Sequence, residues 1–328
     1  MKFPDIRDAE ILITGGAGFI GSNLAQMLVK KKARVTIVDV MIRPYGGNLY
    51  NLKDIADKIT VVNEDVRKKT IVKKLIDGKD MVFHLAAQTG RVISMKKPWL
   101  DLEINCFSTL SILEEIRKKN KKAKLIFTSS RGVIGNPLYF PVDENHPTIP
   151  RDLYGAHKLL AEKYCFIYGR EYGIGVTVLR FNNIYGPKCQ VRSNHYGTIN
   201  LFIRYALEKK ALPIYGSGKQ TRDYLYVSDA VNALMAVIDK KVNNEYFFVG
   251  SGKETTLLEI AQKIKKHIRS TTYHLVPYPK ELESLDFERF SSSSKKIKKM
   301  LAWEPIVTLE DGIQKTVAYY KKYLPYYL

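Results

Sequence analysis

Residues 14–21 read T-G-G-A-G-F-I-G. Gly15, Gly18 and Gly21 recur every third residue, directly after the apolar run Ile11-Leu12-Ile13 and at the head of a helical pattern from Ile20 to Lys30. A strand that enters a helix through such a turn needs glycine where the bend is tight, and again where backbone must approach a pyrophosphate closely. The helix N-terminus then offers unpaired N–H groups and a partial positive charge to phosphate oxygens. Arg34 to Val38 reads as the next strand, with Asp39 at its end. A carboxylate there accepts hydrogen bonds from ribose hydroxyls and repels a 2′-phosphate, which predicts a dinucleotide site preferring NAD to NADP. Arg43 pulls weakly the other way. A glycine triplet alone is a weak signal, because turns collect glycine; strand, helix and Asp39 together make it a specific one.

Working outward, short β-branched runs alternate with helical patterns. Strands are predicted at Ile59 to Val62, Met81 to Phe83, Lys124 to Phe127 and Gly175 to Leu179. Helices are predicted near Ile71 to Leu75, over Leu100 to Lys118, and from about Tyr154 onward. This alternation calls for a parallel sheet covered by helices on both faces. Beyond Arg180 the rhythm breaks into loops at Asn182 to Gly197 and Pro213 to Lys219, with a strand–helix unit at Tyr224 to Ile238 and a last strand at Glu245 to Val249. The layout predicts two units: residues 1–180 with 222–250 as a cofactor-binding domain, and 181–221 with 251–328 as a smaller cap.

The bulk properties narrow the function. A chain of 328 residues with 45% hydrophobic and 26% charged residues can bury a large core. The excess of 53 basic over 33 acidic residues gives a net charge of +20, in scattered runs such as Arg117 to Lys122 and Lys295 to Lys299. Such runs can serve nucleic acid or an anionic membrane surface. No nucleic-acid motif accompanies them, so a solvated surface with a lean towards anionic substrates is expected, and no nucleic-acid partner. Cys106, Cys165 and Cys189 lie far apart, which argues against disulfides and a metal site. No signal-peptide pattern opens the chain and no apolar run reaches the roughly 18 residues of a membrane span, so a cytoplasmic protein is expected.

Tyr154 and Lys158 stand four apart in Y-G-A-H-K and project from one helix face. A free tyrosine titrates near pH 10; lowering that by about three units takes roughly 4 kcal/mol, which an adjacent ammonium and a positively charged nicotinamide could supply. Ser130, in T-S-S at a strand end, could donate to the same substrate oxygen. The bland alternative for Tyr154 and Lys158 is an exposed helical pair.

Taken in order, the glycine turn, Asp65-Val66, H-L-A-A-Q at His84 to Gln88, T-S-S at Thr128 to Ser130, Y-G-A-H-K, L-R-F-N-N-I-Y-G-P at Leu179 to Pro187 and R-D-Y-L-Y-V at Arg222 to Val227 are specific. With them the chain resembles, over nearly its whole length, the extended short-chain dehydrogenase/reductases, in particular the nucleotide-sugar epimerase/dehydratase group. The resemblance implies an α/β protein: a Rossmann-type doubly wound parallel sheet with a smaller C-terminal α+β substrate domain. It implies NAD held by Gly15, Gly18, Phe19, Ile20, Gly21 and Asp39, by Asp65 and Val66 at the adenine, and by Leu85, Ala86 and Ala87, with Tyr154 and Lys158 beside them. It implies a catalytic triad of Ser130, Tyr154 and Lys158. Gln88, Arg131, Asn183, Asn200, Arg222 and Arg289 would contact a nucleotide-sugar, with UDP-sugars favoured; Arg222 and Arg289 would grip the diphosphate. A homodimer through the helices near Leu100 to Lys118 and Tyr154 to Tyr172 is also implied.

Two departures bear on the reaction. Dehydratases of this group carry an acidic pair after the serine or threonine, and decarboxylases usually a glutamate; this chain has Arg131-Gly132. That favours epimerisation, a UDP-hexose 4-epimerase first of all, over 4,6-dehydration, UDP-glucuronate decarboxylation or CDP-sugar 2-epimerisation. Arg131 would read a substrate carboxylate or phosphate, or point outward. The Arg-Pro-Gly segment of many relatives is missing, leaving Arg289 as the only arginine in Pro277 to Phe290. His84 is expected as a satisfied strand-end histidine, Cys189 and His195 as loop lining, and the tyrosines from Tyr319 to Tyr327 as packing. A basic nucleic-acid-binding protein and a net oxidoreductase releasing NADH are the remaining alternatives.

Overall fold

The computed structural model describes residues 3–42, 47–192, 197–278 and 288–328, the side chain of Lys240 apart. Seven strands form one parallel sheet: β1 (Glu10–Thr14), β2 (Arg34–Val38), β3 (Ile59–Val62), β4 (Met81–His84), β5 (Lys124–Ser130), β6 (Val176–Phe181) and, late in the chain, Glu245–Val249. Their order is Glu245–Val249, β6, β5, β4, β1, β2, β3, every pairing parallel. The central strands are buried on both faces, which is why Ile11-Leu12-Ile13 and Val176 to Phe181 read as continuous rather than alternating apolar runs.

Helix α1 (Phe19–Lys30) and the late helix Val227–Ala236 cover one face through Leu24, Leu28 and Leu234. On the other lie α2 (Lys69–Leu75) and, beyond α3 (Arg91–Lys96) and α4 (Pro98–Leu102), the helices α5 (Ser108–Lys119) and α6 (Leu153–Tyr172), packed through Val72, Ile112, Ile116 and Ala161. The strand order reverses beside β1. In a doubly wound sheet the crevice outside the carboxyl ends of the strands at that point is where ligands bind.

The expected helix from Leu100 to Lys118 is broken by a π-turn at Glu103–Phe107, between α4 and α5. The wide turn lets Asn105 donate to the Gln88 carbonyl (2.9 Å) while Asp101, fully buried, accepts from the Gln88 amide (2.6 Å). No proline or glycine in residues 100–118 marks the break, so breaker residues gave no warning of it.

The remaining strands, β7 (Asn183–Tyr185), β8 (Leu212–Tyr215), β9 (Thr221–Tyr226), β10 (Glu245–Val249, already placed in the large sheet), β11 (Glu254–Thr256) and β12 (Tyr273–Val276), follow in chain order. β7, β9 and β11 form a three-stranded sheet and β8 pairs with β12. Helices α7 (Thr198–Leu207), α8 (Val227–Ala236, described above), α9 (Leu257–His267), α10 (Lys295–Leu301) and α11 (Leu309–Tyr323) complete the chain. α7, α9 and α11 enclose a second core around Phe202, Ile260, Ile313 and Tyr320. Tyr320 and Tyr327 are buried there, as the packing reading of these tyrosines expects. Among the described residues no helix is long and apolar enough to cross a membrane.

Candidate active site

A cavity of about 620 Å³ opens at the carboxyl ends of β1, β4 and β5, running from Asp39 and Asp65 at one end to Arg131, Asn183 and Gln190 at the other. At the first end the glycine turn does what its spacing predicts. Gly15 has φ +69°, and a Cβ on it would lie 2.8 Å from the Ala86 nitrogen. A Cβ on Gly21 would come within 2.4 Å of the Gly15 carbonyl oxygen. No side chain caps the start of α1, so its first N–H groups face the cavity. Asp39 accepts from the Ala17 and Met41 amides, each at 3.1 Å; burial raises its pKa and the backbone N–H groups act the other way. A cradle that any Cβ would fill, an uncapped helix N-terminus and a carboxylate at the end of β2 fit a dinucleotide. Phe19, Ile20, Val66, Leu85, Ala86 and Ala87 line the same end. Asp65 is clasped by the Arg67 guanidinium at 2.6 to 3.1 Å, which with the Arg67 amide holds its carboxyl low against the opposing effect of burial.

His84 belongs to the scaffold. Its Nδ1 lies 2.7 Å from Thr14 Oγ1, and its Nε2 lies 3.1 Å from Thr109 Oγ1. Thr14 Oγ1 already accepts from the Ala86 amide (3.1 Å) and Thr109 Oγ1 donates to the Asn105 carbonyl (2.8 Å). The Thr14 hydroxyl therefore donates to Nδ1, and the ring carries its proton on Nε2. Burial pushes its pKa down to about 3, so it is neutral and its hydrogen bonds are filled.

At the second end, Ser130 closes β5 and its Oγ accepts from the Gly132 amide at 3.1 Å. Tyr154 sits in the first turn of α6, which Asp152 caps by accepting from the Gly155 amide (2.8 Å), and the Tyr154 amide donates to Ser94 Oγ (3.1 Å). The Ser130 hydroxyl acts on the Tyr154 phenol, favouring its ionised form. Lys158 follows one turn later, buried, its ammonium 4.2 Å from the centre of the Phe127 ring. Burial pushes Tyr154 up to about 12, aided by Asp101 and Asp152 and opposed by Ser130 and Arg131. Burial also pulls Lys158 down to about 8. In the chain by itself desolvation outweighs the neighbouring charges at Tyr154; the expected ionisation by Lys158 together with a positively charged nicotinamide concerns the cofactor-bound site.

Arg131 lines the cavity rather than pointing outward. Its Nε donates to Asn183 Oδ1 at 2.8 Å, and its guanidinium lies 5.1 Å from the Phe290 ring centre. Gln88 also lines this end. Three expected substrate residues are not among the described residues of the wall. Asn200 is fully buried, its amide donating to the Gly186 carbonyl (2.7 Å) and accepting from the Gly186 amide (3.2 Å); those bonds make it a loop clamp. Arg289 is exposed and bound through Nε to both oxygens of Glu254 at 2.7 Å. Arg222 is buried with its Nη1 on the Thr221 carbonyl (2.6 Å). The nearby carboxylates Asp223 and Asp229 accept from the Ser251 and Gly252 amides and from the Ile306 and Val307 amides, respectively. Cys189 is on the wall, but burial lifts its thiol to about 12, so it is no base at neutral pH. Arg43 and His195 lie outside the described residues.

Arg91 and Asp152, both on the cavity wall, escaped the sequence reading. Arg91 Nε donates to Asp152 Oδ2 at 2.6 Å. Asp152, two residues before Tyr154, had a visible signal as an N-cap aspartate; Arg91, on a different helix, had none.

Comparison with known proteins agrees with this geometry. Residues 11–250 match the model of the NAD dependent epimerase/dehydratase family. A protein of Methanocaldococcus jannaschii named "Putative UDP-glucose 4-epimerase" is 38% identical over 95% of this chain and 98% of its own length. The UDP-N-acetyl-alpha-D-glucosaminuronate decarboxylase of Bacillus cytotoxicus is 36% identical over 95% of this chain and 97% of its own. The crystal structure of UDP-glucose 4-epimerase from Thermotoga maritima with UDP-glucose superposes with a TM-score of 0.88 at 32% identity, over 96% of this chain and 99% of that one.

Proposed function

We propose that this chain, which belongs to the NAD-dependent epimerase/dehydratase family and so is an enzyme of the nucleotide-sugar epimerases, dehydratases and decarboxylases, inverts C4 of a UDP-hexose. One observation carries the choice among these reactions. The carboxylates on the described cavity wall are Asp39, Glu64 and Asp65 at the cofactor end and Asp152, which is engaged by Arg91 and the Gly155 amide. None stands beside Ser130, where elimination of water would require a general acid.

Tyr154 takes the proton of the C4 hydroxyl and later returns it. Ser130 donates to the same oxygen and holds it as its charge changes. When bound, NAD supplies the hydride acceptor and donor and a positive charge that offsets the burial of the phenolate. Lys158 holds its own charge one helical turn from Tyr154, and Ile184, Phe181 and Cys189 make this part of the wall largely apolar where the keto-sugar turns. Asp39, Asp65 and Val66 would hold the adenosine half of NAD, and Gln88, Arg131 and Asn183 the sugar. The segments 181–221 and 251–328 act as the cap over the sugar. A homodimer forms through α4 to α6, where Trp99, Phe107, Leu160 and Ile167 expose apolar surface.

A second reading, decarboxylation of a UDP-hexuronate, is favoured by Arg131, whose guanidinium matches a carboxylate geometrically. The test is incubation with NAD and a panel of UDP-, GDP-, CDP- and dTDP-sugars, with products resolved by proton NMR and mass. The expected product has unchanged mass and an altered coupling at H4. Loss of carbon dioxide establishes the second reading, and loss of water excludes both.

A further inference from the structure

One buried polar cluster lies outside the catalytic machinery and joins three distant parts of the chain. It centres on Asn51, in a short 3-10 turn at Leu49–Leu52. The Asn51 amide donates to the carbonyls of Ala17 (2.9 Å) and Lys188 (3.2 Å), and its Oδ1 accepts from the Tyr327 hydroxyl (2.6 Å). The Asn51 backbone carbonyl accepts from the Lys188 ammonium at 2.6 Å. Both donors and the acceptor of the side chain are thus engaged. Asn48 repeats the pattern: its own N–H donates to the Ala17 carbonyl (3.1 Å) and its side-chain amide to the Tyr326 carbonyl (2.9 Å).

The ends of these bonds are placed where the cavity is built. Ala17 is inside the T-G-G-A-G-F-I-G turn, and its N–H donates to Asp39 Oδ2 at 3.1 Å. The Ala17 residue is therefore gripped from both sides, by Asp39 and by Asn51. Lys188, in the left-handed region at φ +73°, opens onto Cys189 and Gln190, which are cavity wall on the substrate side. The Cys189 carbonyl in turn accepts from the Tyr320 hydroxyl, and Asn23 of α1 reaches the Pro187 carbonyl at 3.3 Å. The cofactor turn cannot shift without straining Asn51, and Asn51 cannot shift without moving Lys188.

We propose that Asn51, Lys188 and Tyr327 are positioning residues that latch the NAD-binding turn to the substrate-side wall, so that the segment after α11 couples cofactor and nucleotide binding. Coupling of this kind is reciprocal: NAD tightens nucleotide binding by the factor by which the nucleotide tightens NAD. The inference rests on NAD binding and not on which reaction follows.

The test uses the full chain and calorimetric titration with NAD, and with UDP in the presence and absence of NAD. Tyr327→Phe keeps the ring and removes the hydroxyl. It breaks the bonds to Asn51 and to the Tyr319 hydroxyl; it should weaken NAD about five- to tenfold, the scale of a lost hydrogen bond and an orphaned acceptor, and bring the effect of NAD on UDP affinity towards none. Lys188→Met should act in the same direction, and it decides the question by the same titrations if Tyr327→Phe does not fold. Tyr326→Phe, whose ring is exposed and stacked on Tyr50 at 3.8 Å, should match the wild type. A purely structural cluster would lower the melting temperature and leave NAD affinity and coupling unchanged, and that result overturns the proposal. If UDP does not bind the wild-type protein, the nucleotide preference fails, and NAD affinity alone decides the latch.

Discussion

At the end of the cavity bounded by Asp39 and Asp65, the shape of the site is set mainly by backbone: a glycine turn, an uncapped helix start and Asp39 fixed by amides, with Asp65 alone held also by a side chain, that of Arg67. At the end bounded by Arg131 and Asn183, it is set by side chains held to one another, as Arg131 is to Asn183 and Arg91 to Asp152. The first construction tolerates almost no change, because its function is the absence of side chains. The second can be rewritten one residue at a time without touching the first. That division explains how one cofactor site can serve epimerases, dehydratases and decarboxylases, with the reaction decided across the cavity.

The sharpest way to break this comparison is at the point where the two ends meet. Tyr154→Phe should lower kcat by roughly three orders of magnitude, within the range of a lost general base, while NAD titration gives an unchanged affinity. Near-normal turnover would remove Tyr154 from the chemistry. At the backbone end, Gly21→Val should abolish measurable NAD binding, because its Cβ would meet the Gly15 carbonyl oxygen at 2.4 Å; retained binding would show that the turn can relax.

Lys158→Met addresses the burial that both ends impose on the triad. The folded-state pKa of Lys158 is depressed to about 8, so between about pH 8 and the unfolded value near 10.5 the unfolded chain binds more protons and stability rises with pH. Below pH 8 the penalty is fully present, as much as roughly 3 kcal/mol before the Phe127 contact offsets part of it. The variant should therefore melt higher than the wild type at pH 7, with the gain shrinking towards pH 10.5. An equal gain at both pH values would contradict the assignment.

On the side-chain end, Arg131→Gln should lower kcat/KM for the sugar nucleotide about tenfold, the loss of one charged hydrogen bond, and leave NAD affinity alone. The smallest effect is expected outside the cavity. Arg289→Ala should change KM by less than about twofold, since an exposed ion pair contributes little; a larger rise in KM would bring Arg289 back to the substrate.

What was legible in the sequence divides along the same line. The glycines of the turn and Asp39 lie within one strand–turn–helix–strand stretch, so spacing alone locates them, although Ala86 and Asn51 complete the turn from outside it. The substrate wall is assembled from segments that only folding brings together: Arg91 meets Asp152 across 61 residues and Arg131 meets Asn183 across 52. Asn200 carries the residue type expected of a ligand contact, yet its amide is taken by Gly186, a choice no spacing rule records. The raised Tyr154 and lowered Lys158 reflect desolvation, which depends on what covers the triad and not on the residues that compose it.

The central claim, epimerisation by a closed redox cycle at C4, is tested most directly with UDP-glucose deuterated at C4, NAD and the purified protein. The account predicts the C4 epimer at unchanged mass with the deuterium still on C4. A product lighter by water or carbon dioxide, deuterium lost to solvent, or reduced NAD accumulating with a keto-sugar would contradict it.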